Sequence, residues 1–411
     1  VSYTTRTTCR ACGGSLETII DLGTQKLTGW LDAPDDPWPE GPLELVHCTD
    51  INCELVQLRH TLEPDIMFKD QNYGYLSGIN ESMKIALEDV VWDTYDRAGE
   101  LKSDDVWVDI GANDGTLLNA VWNIGLDSIR VGYEPVKQLQ KAGEEESNAQ
   151  HWIVDYFNAQ SYPDLPKARV ITACAMFYDL EDPVAFCRDI AEVLAPDGVF
   201  TIQLSYLPFM LSLVDYPGIC HEHLEYYSLK ALEGVLTKAG LQVFDLEVNE
   251  INGGSLRVYV DHGERAPSFM VHTLRTWEHA ILHPARRPYN FFRLDAQERI
   301  QQLRTTVHEL TKQDKTVAAF TASTKGNVIL QACEFSPEEL PFAVERNPAK
   351  HGKFCAGSGI PIISEEEARK RNPDYFLVFP WYFMDSFRKR EKEWHDKGGR
   401  WIVPLPNVRL E

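Results

Sequence analysis

A chain of 411 residues exceeds what one hydrophobic core usually organises, so two or three domains are expected. Hydrophobic residues make up 44%, which suits a folded protein and excludes a disordered one. The 40 basic against 62 acidic side chains give a net charge of −22, a field that repels polyanions and argues against nucleic-acid or anionic-membrane partners, while allowing a local basic pocket.

The chain opens on a loop-rich stretch with few periodic elements and with Pro34, Pro37, Pro39 and Pro42. It carries two cysteine pairs, Cys9-x-x-Cys12 and Cys48-x4-Cys53. So short a segment buries little core and usually needs a staple. Four thiolates so paired suit one tetrahedral zinc, in a closed and therefore structural site; the alternative is four ordinary buried cysteines. From Asp104 the texture changes. VWVDI (106–110) reads as a buried strand, followed by a Gly111–Gly115 turn and the helical TLLNAVW. SIRVGYE (128–134), HWIVDYF (151–157) and ARVITACAM (168–176) read as further strands, the first two ending near an acid. A helix over EDPVAFCRDIAEVL leads through Pro196-Asp197-Gly198 to the strand VFTIQLS, and KALEGVLTKAG reads as a helix stopped by Gly240. LQVFDLEV and SLRVYV close the sheet. This alternation predicts a parallel, doubly wound α/β sheet. Residues 263–314 read as mostly helical, and a second α/β unit follows with strands at KTVAAFTAST, PFAVERNP and DYFLVFPWYF (374–383).

Between the first strand and its helix lies VDIGANDGTLL. It lacks the G-x-G-x-x-G of a dinucleotide fingerprint, since Asn113 stands at the second glycine. Asp109 and Asp114 make the loop acidic, which fits a pyrophosphate poorly. It fits S-adenosylmethionine, whose sulfonium and ammonium need carboxylates and close backbone at Gly111 and Gly115. Glu134, ending the second strand, is placed for the ribose hydroxyls, and Asp155, ending the third, for the adenine amino group. The alternative is a glycine turn with solvated acids.

GICHEHLEYYSL (218–229) sets His221, Glu222 and His223 after a Pro-Gly turn. Its readings are a metal site, a polar surface turn or proton transfer; no further ligand motif accompanies it. STKGN (323–327) places Lys325, Gly326 and Asn327 at a strand-to-helix turn, a site for a diphosphate. Glu345 and Arg346, ending the next strand with Asn347, are placed for a nucleotide's ribose or base.

Taken together, the cysteine pair, YGYLSG (73–78), IGANDGTLL (110–118), HEHLEYYSL (221–229), NGGSLRVYV (252–260) and STKGN make the chain resemble the nucleotide-sugar C-methyltransferases over nearly its whole length. The resemblance implies a zinc-binding and substrate-lid domain (1–75), a class I S-adenosylmethionine-dependent methyltransferase domain (76–262), and a helical connector with a Rossmann-like nucleotide-binding domain (263–411). It implies that His223 is the general base, with Glu222 and His221 beside it and Tyr73 or Tyr75 lining the pocket. Cys220 stands where relatives carry tyrosine, and Asn252, before Gly253-Gly254-Ser255, where they often carry histidine; all three positions are expected at the substrate pocket. The chemistry follows. In a nucleotide-linked 4-keto-deoxysugar the proton beside the ketone is acidified by enolate formation, a histidine can take it, and a tyrosine hydroxyl is the natural donor to the enolate oxygen. O- or N-methylation of another small metabolite and a non-catalytic zinc- and nucleotide-binding protein are the alternatives.

No apolar run reaches the roughly 20 residues that span a bilayer, and VSYTTRTTCR has no apolar signal region. Nine cysteines, an odd number, suit a reducing cytoplasm better than a disulfide framework. A monomer is compatible with the sequence.

Overall fold

The run Val106–Ile110 (β1) is buried at every position, as a central parallel strand covered on both faces must be. In the computed structural model, which describes residues 3–68, 76–283, 285 and 287–411, this strand lies inside a seven-stranded sheet. Its other strands are Ile129–Tyr133 (β2), His151–Ile153 (β3), Ala168–Cys174 (β4), Leu194–Ser205 (β5), Gln242–Asn249 (β6) and Ser255–Asp261 (β7). They lie in the order β6-β7-β5-β4-β1-β2-β3. The first five run parallel, and β7 inserts antiparallel between β5 and β6. The fold is therefore the doubly wound class I methyltransferase sheet expected from the alternation of strands and helices. The strand order reverses between β1 and β4, the switch point where such sheets bind ligands at their carboxyl ends.

Three local expectations are corrected. The third strand stops at Ile153 rather than running to residue 157. Asp155 accepts its neighbour Tyr156's N–H at 2.9 Å, and Asn158 caps a turn at Ser161; such side-chain bonds compete with the ladder. The N-terminal segment is richer in strand than its prolines suggest. Leu16–Lys26, Glu40–Cys48 and Val56–Leu58 form an antiparallel sheet, joined at its edge by Glu225–Tyr226. Register shifts between Thr18 and Ile20 and between Asp21 and Thr24 erase the two-residue alternation by which the strand would be read. The strand predicted over 374–383 ends at Val378, and Pro380 leads into the turn Trp381–Phe383.

The C-terminal unit is a six-stranded sheet with central strand Val317–Phe320 and parallel neighbours Ala343–Glu345 and Tyr375–Val378. It is tied to the N-terminal sheet by pairing of Trp30–Leu31 with Phe354–Cys355. Gln331 adds a second tie, donating to the Lys26 carbonyl and accepting its N–H at 3.0 and 2.8 Å. The helix Pro288–Thr311 inserts Phe292, Ala296, Leu303 and Val307 into a core shared by both sheets. Among the described residues no helix is long and apolar enough to cross a membrane.

Helix Glu81–Ala98 has no counterpart among the predicted elements. Leu87, Val90, Val91 and Ala98 pack it on Trp107 and Tyr259 of the central sheet. Its Asp89 and Asp93, with Glu247 on β6, surround the fully buried guanidinium of Arg257 on β7, at 3.2 Å to Asp89 and 2.5 Å to Glu247. Its acidic partners are partly exposed, so water can solvate them when the guanidinium is lost, while the space of the buried side chain is left unfilled. Arg257→Ala is expected to destabilise the central domain by about 1–3 kcal/mol, measured as a lowered urea midpoint; an unchanged midpoint would show that water replaces the guanidinium without loss.

Candidate active site

The four cysteines of the two N-terminal pairs converge, their sulfurs all within 4.8 Å of one another. Cys9 Sγ lies 3.7 Å from Cys53 Sγ, and Cys12 Sγ lies 3.4 Å from Cys48 Sγ. These are the edges of a tetrahedron around an ion about 2.3 Å from each sulfur, the zinc–thiolate distance. Gly14 N–H and Gln57 Nε2 donate to Cys12 and Cys9 sulfurs at 3.3 and 3.1 Å, as donors to thiolates do. Inside the first pair sits Arg10, only 9% exposed. Its guanidinium donates to Leu58 O at 2.7 Å and Glu181 Oε2 at 3.4 Å, and stands 3.6 Å from Glu225 Oε1. The cysteine cluster is thereby wired to the strand that follows His223.

At the carboxyl end of β1, Gly111 and Gly115 both adopt positive φ, +71° and +78°. A Cβ at Gly111 would come within 3.0 Å of Met176, and one at Gly115 within 2.3 Å of Ser147, so the loop closes only with glycine at both positions. Glu134 is 5% exposed and accepts from Asn113 N and Val136 N, each at 2.9 Å. Asp109 accepts from Thr172 Oγ1 at 2.7 Å. Burial pushes both carboxyls up to about 7, against the pull of these hydrogen bonds. Asp114 accepts Gly78 N–H at 2.8 Å and Asn113 accepts Ser77 N–H at 2.9 Å, which ties the segment entering the helix Glu81–Ala98 to the loop. Asp155 lies exposed, two residues past the end of β3.

The segment 220–223 runs between the central and N-terminal sheets beside Lys325 of the C-terminal unit, with Glu222 and His223 partly buried. Cys220 and His221 are 1% and 4% exposed. His221 Nε2 lies 2.9 Å from Gly41 O, and His223 Nδ1 lies 3.1 Å from Gly218 O. A carbonyl only accepts, so His221 carries its proton on Nε2 and His223 on Nδ1. That leaves a lone pair on His223 Nε2, and His223 lines a cavity together with Tyr178, Ser205, Asp215 and Lys325. Tyr178 packs its ring 4.4 Å from that of His223. Burial pushes the Glu222 carboxyl up, and its Oε2 is buried without a hydrogen-bond partner. Tyr73 and Tyr75 lie outside the described residues.

The C-terminal sheet brings its own residues to this cavity, in part differently from the expected anion turn. Gly326 N–H is taken by the helix cap Ser323 Oγ at 3.1 Å, and a Cβ there would meet Phe379 at 2.3 Å. Asn327 is 2% exposed with both amide atoms unpartnered. Lys325 reaches into the cavity and pairs with Asp215 Oδ2 at 2.5 Å, with Asn252 O at 3.5 Å. Asn252 itself holds φ +55° beside Gly253 and Gly254, and Ser255 Oγ donates to Ile251 O at 2.9 Å. Glu345 and Arg346 sit away from His223 at the end of Ala343–Glu345, where Glu345 accepts Arg346 and Asn347 N–H groups at 2.7 and 3.0 Å and Lys350 Nζ at 3.2 Å. Asp215, Tyr178 and Arg10 were not legible as site residues: each is a common residue type whose role comes from its neighbours in space.

Burial disfavours imidazolium and pushes both His221 and His223 down to about 4. Each ring is therefore expected to remain neutral at about pH 5.5, where an exposed histidine is mostly charged. Nitrogen NMR of histidine-labelled protein is expected to show two rings in opposite tautomers that take a proton only as pH falls toward 4. Titration of either ring near its ordinary value would contradict the enclosure described here.

Three family models tile the chain: "Putative zinc binding domain" over residues 9–68, "Methyltransferase domain" over 83–246 and "C-methyltransferase C-terminal domain" over 250–406. The C-methyltransferase NovU of Streptomyces niveus is 31% identical over 417 aligned positions, covering 98% of this chain and 96% of NovU. Among solved structures, the mitomycin 7-O-methyltransferase MmcR aligns at 19% identity over 44% of this chain and 55% of its own, with a TM-score of 0.36. A complex of the Haloferax volcanii Trm112 methyltransferase activator with a methyltransferase aligns at 18% identity, over 46% of this chain and 95% of that one, with a TM-score of 0.35. Matched from its cysteine cluster to its C-terminal sheet, the chain belongs to the S-adenosylmethionine-dependent C-methyltransferases.

Proposed function

We propose that this C-methyltransferase acts on a nucleotide-linked 4-keto-deoxysugar, with His223 removing the proton from the carbon beside the ketone. The observation that supports it is His223, which is bonded at Nδ1 to Gly218 O, keeps a lone pair on Nε2 and lines a cavity together with Lys325 of the C-terminal unit. O- and N-acceptors carry their own lone pair, whereas a carbon acceptor needs a base and an enolate. In this reading the backbone at Gly111, Asn113 and Gly115, with Asp109, Asp114 and Glu134, holds S-adenosylmethionine, and Asp155 meets its adenine. When bound, that molecule supplies an electrophilic methyl group. Gly326, Asn327, Glu345 and Arg346 receive the nucleotide, and Cys220, Asn252 and Ser255 border the sugar. Zinc held by Cys9, Cys12, Cys48 and Cys53 is structural. The nine free cysteines fit a reducing compartment, which we take to be the cytoplasm.

Two outcomes are expected. Protein mixed with cofactor and TDP-4-keto-6-deoxyglucose yields a product heavier by one methylene, with the new methyl on carbon. Without cofactor, the same sugar in deuterated water gains deuterium beside its ketone, and His223→Asn abolishes that gain. A methyl found on oxygen, or exchange that survives in the variant, would remove the enolate route. The second concerns the carboxyls raised to about 7. They are protonated below that value, and they hold ribose hydroxyls and cationic groups more strongly when ionised. S-adenosylhomocysteine affinity is therefore expected to rise from about pH 6 to about pH 8, with proton release seen by calorimetry in buffers of different ionisation enthalpy. Glu134→Gln is expected to weaken binding and flatten this profile; an unaltered profile would exclude Glu134 from the site.

A further inference from the structure

Removing a proton from carbon with an imidazole is uphill twice over. A ketone's neighbouring C–H is a far weaker acid than imidazolium, and the enclosure of His223 lowers its basicity further. The energy must be recovered at the other end of the reacting unit, on the oxygen where the electron pair arrives. Two of the tyrosine hydroxyls that line the cavity are already directed elsewhere. Tyr206 OH donates to Glu278 Oε2 at 2.7 Å, and Tyr226 OH points at Gly218 O at 3.4 Å.

Among the described residues lining the cavity, Lys325 is the one lysine or arginine. It comes from the C-terminal domain, at the first turn of the helix Thr324–Ala332, and crosses to the central domain. Its ammonium is held by Asp215 Oδ2 at 2.5 Å and loosely by Asn252 O at 3.5 Å, which leaves one of its three N–H donors uncommitted. Tyr382 and Trp381 present their rings 5.2 and 5.7 Å from Nζ and shield it from solvent. Its side chain is 16% exposed. Burial alone would drive off its proton, but the adjacent Asp215 carboxylate outweighs it and keeps the group cationic. Asp215 Oδ1 is itself buried without a partner, so the carboxylate is committed to this lysine.

We infer that Lys325 is the electrophile of the enolisation, donating to the substrate's ketone oxygen while His223 Nε2 takes the neighbouring proton. The inference rests on the sugar-enolate reading above. In the step, the C–H bond breaks, its proton goes to His223 Nε2, and its electron pair forms the C=C bond as the carbonyl π pair moves to oxygen beside the ammonium. Return of a solvent-derived proton to carbon reverses the step and accounts for exchange without cofactor. Asp215 acts as a positioning residue, fixing the ammonium so that no reorganisation accompanies the charge as it develops. The same lysine serving the diphosphate would be a binding group, and the two roles separate by experiment.

The test measures deuterium entry into TDP-4-keto-6-deoxyglucose without cofactor, at saturating sugar, together with the sugar's Kd. In Lys325→Met the saturated exchange rate is expected to fall by about 100-fold or more, the usual cost of losing one donor to a developing oxyanion, with Kd changed less than the rate. Because that variant strands Asp215, the double variant Lys325→Met with Asp215→Asn is measured beside it. It removes both charges and is expected to show the same loss of rate. In Lys325→Ala, ethylammonium added to the buffer is expected to restore part of the exchange. A weakened Kd with an unchanged saturated rate, in either the single or the double variant, would make Lys325 a diphosphate ligand and overturn the inference. If the wild type itself shows no exchange, the sugar reading fails and takes the inference with it.

Discussion

Backbone groups buried away from water must find partners, and the segment 218–227 finds them in both the central domain and the N-terminal sheet. Leu224 and Glu225 donate their N–H groups to Tyr178 O, beyond the end of β4. Leu224 O accepts from Leu58 N, and Glu225–Tyr226 pairs with Val56–Gln57 of the N-terminal sheet. Tyr227 O accepts Leu207 N–H just after β5. The side chain of His221 reaches Gly41. One ten-residue stretch is therefore an edge strand for one domain and a loop filling the mouth of another. The cavity beside His223 exists because the chain must satisfy these groups in more than one sheet at once. A free methyltransferase domain, without the N-terminal sheet, would leave this segment with unpaired polar backbone.

The same enclosure decides the electrostatics. Burial pushes up the carboxyls of Asp179, Glu222 and Glu225, and for Asp179 the charges of the other two add to it. Arg10 is the cation that meets Glu225 here, and it is carried between Cys9 and Cys12, on the knuckle that a zinc ion would stiffen. On the opposite side the cation is Lys325, carried by the C-terminal sheet. Each peripheral domain thus delivers one positive charge to an acidic centre. Neither charge is long-range steering, since the chain as a whole is strongly anionic; both act within hydrogen-bond distance, where the low local dielectric gives them weight.

How much of this was legible in the sequence follows from how local each signal is. The central sheet was readable because VWVDI is buried on both faces and the Gly111–Gly115 loop must turn within a few residues. The four cysteines were readable because metal spacing is written along the chain. The N-terminal sheet was not, because bulges at Thr18–Ile20 and Asp21–Thr24 break its alternation. Helix Glu81–Ala98 escaped for another reason: its buried face includes Thr94, and its acids serve Arg257, some 160 positions further on. Lys325 was seen as a candidate, yet its setting was not. A lysine at a helix start reads as an anion site until the fold shows Asp215 already bound to it.

Cys220 completes the argument about the cavity. The residue is 1% exposed, and nearby Glu222 keeps Oε2 buried without a partner. A thiol is a weak donor, and burial pushes the Glu222 carboxyl up. The partner of His223 Nδ1 is the Gly218 carbonyl, which sets that tautomer. In the proposed reading the base is thus set by backbone geometry. Its basicity is low, and the demand for charge stabilisation passes to the far side of the cavity. Enclosure that keeps His223 neutral and a cation fixed by Asp215 are two halves of one solution, because a weak base can take a proton from carbon only where the resulting negative charge is already provided for.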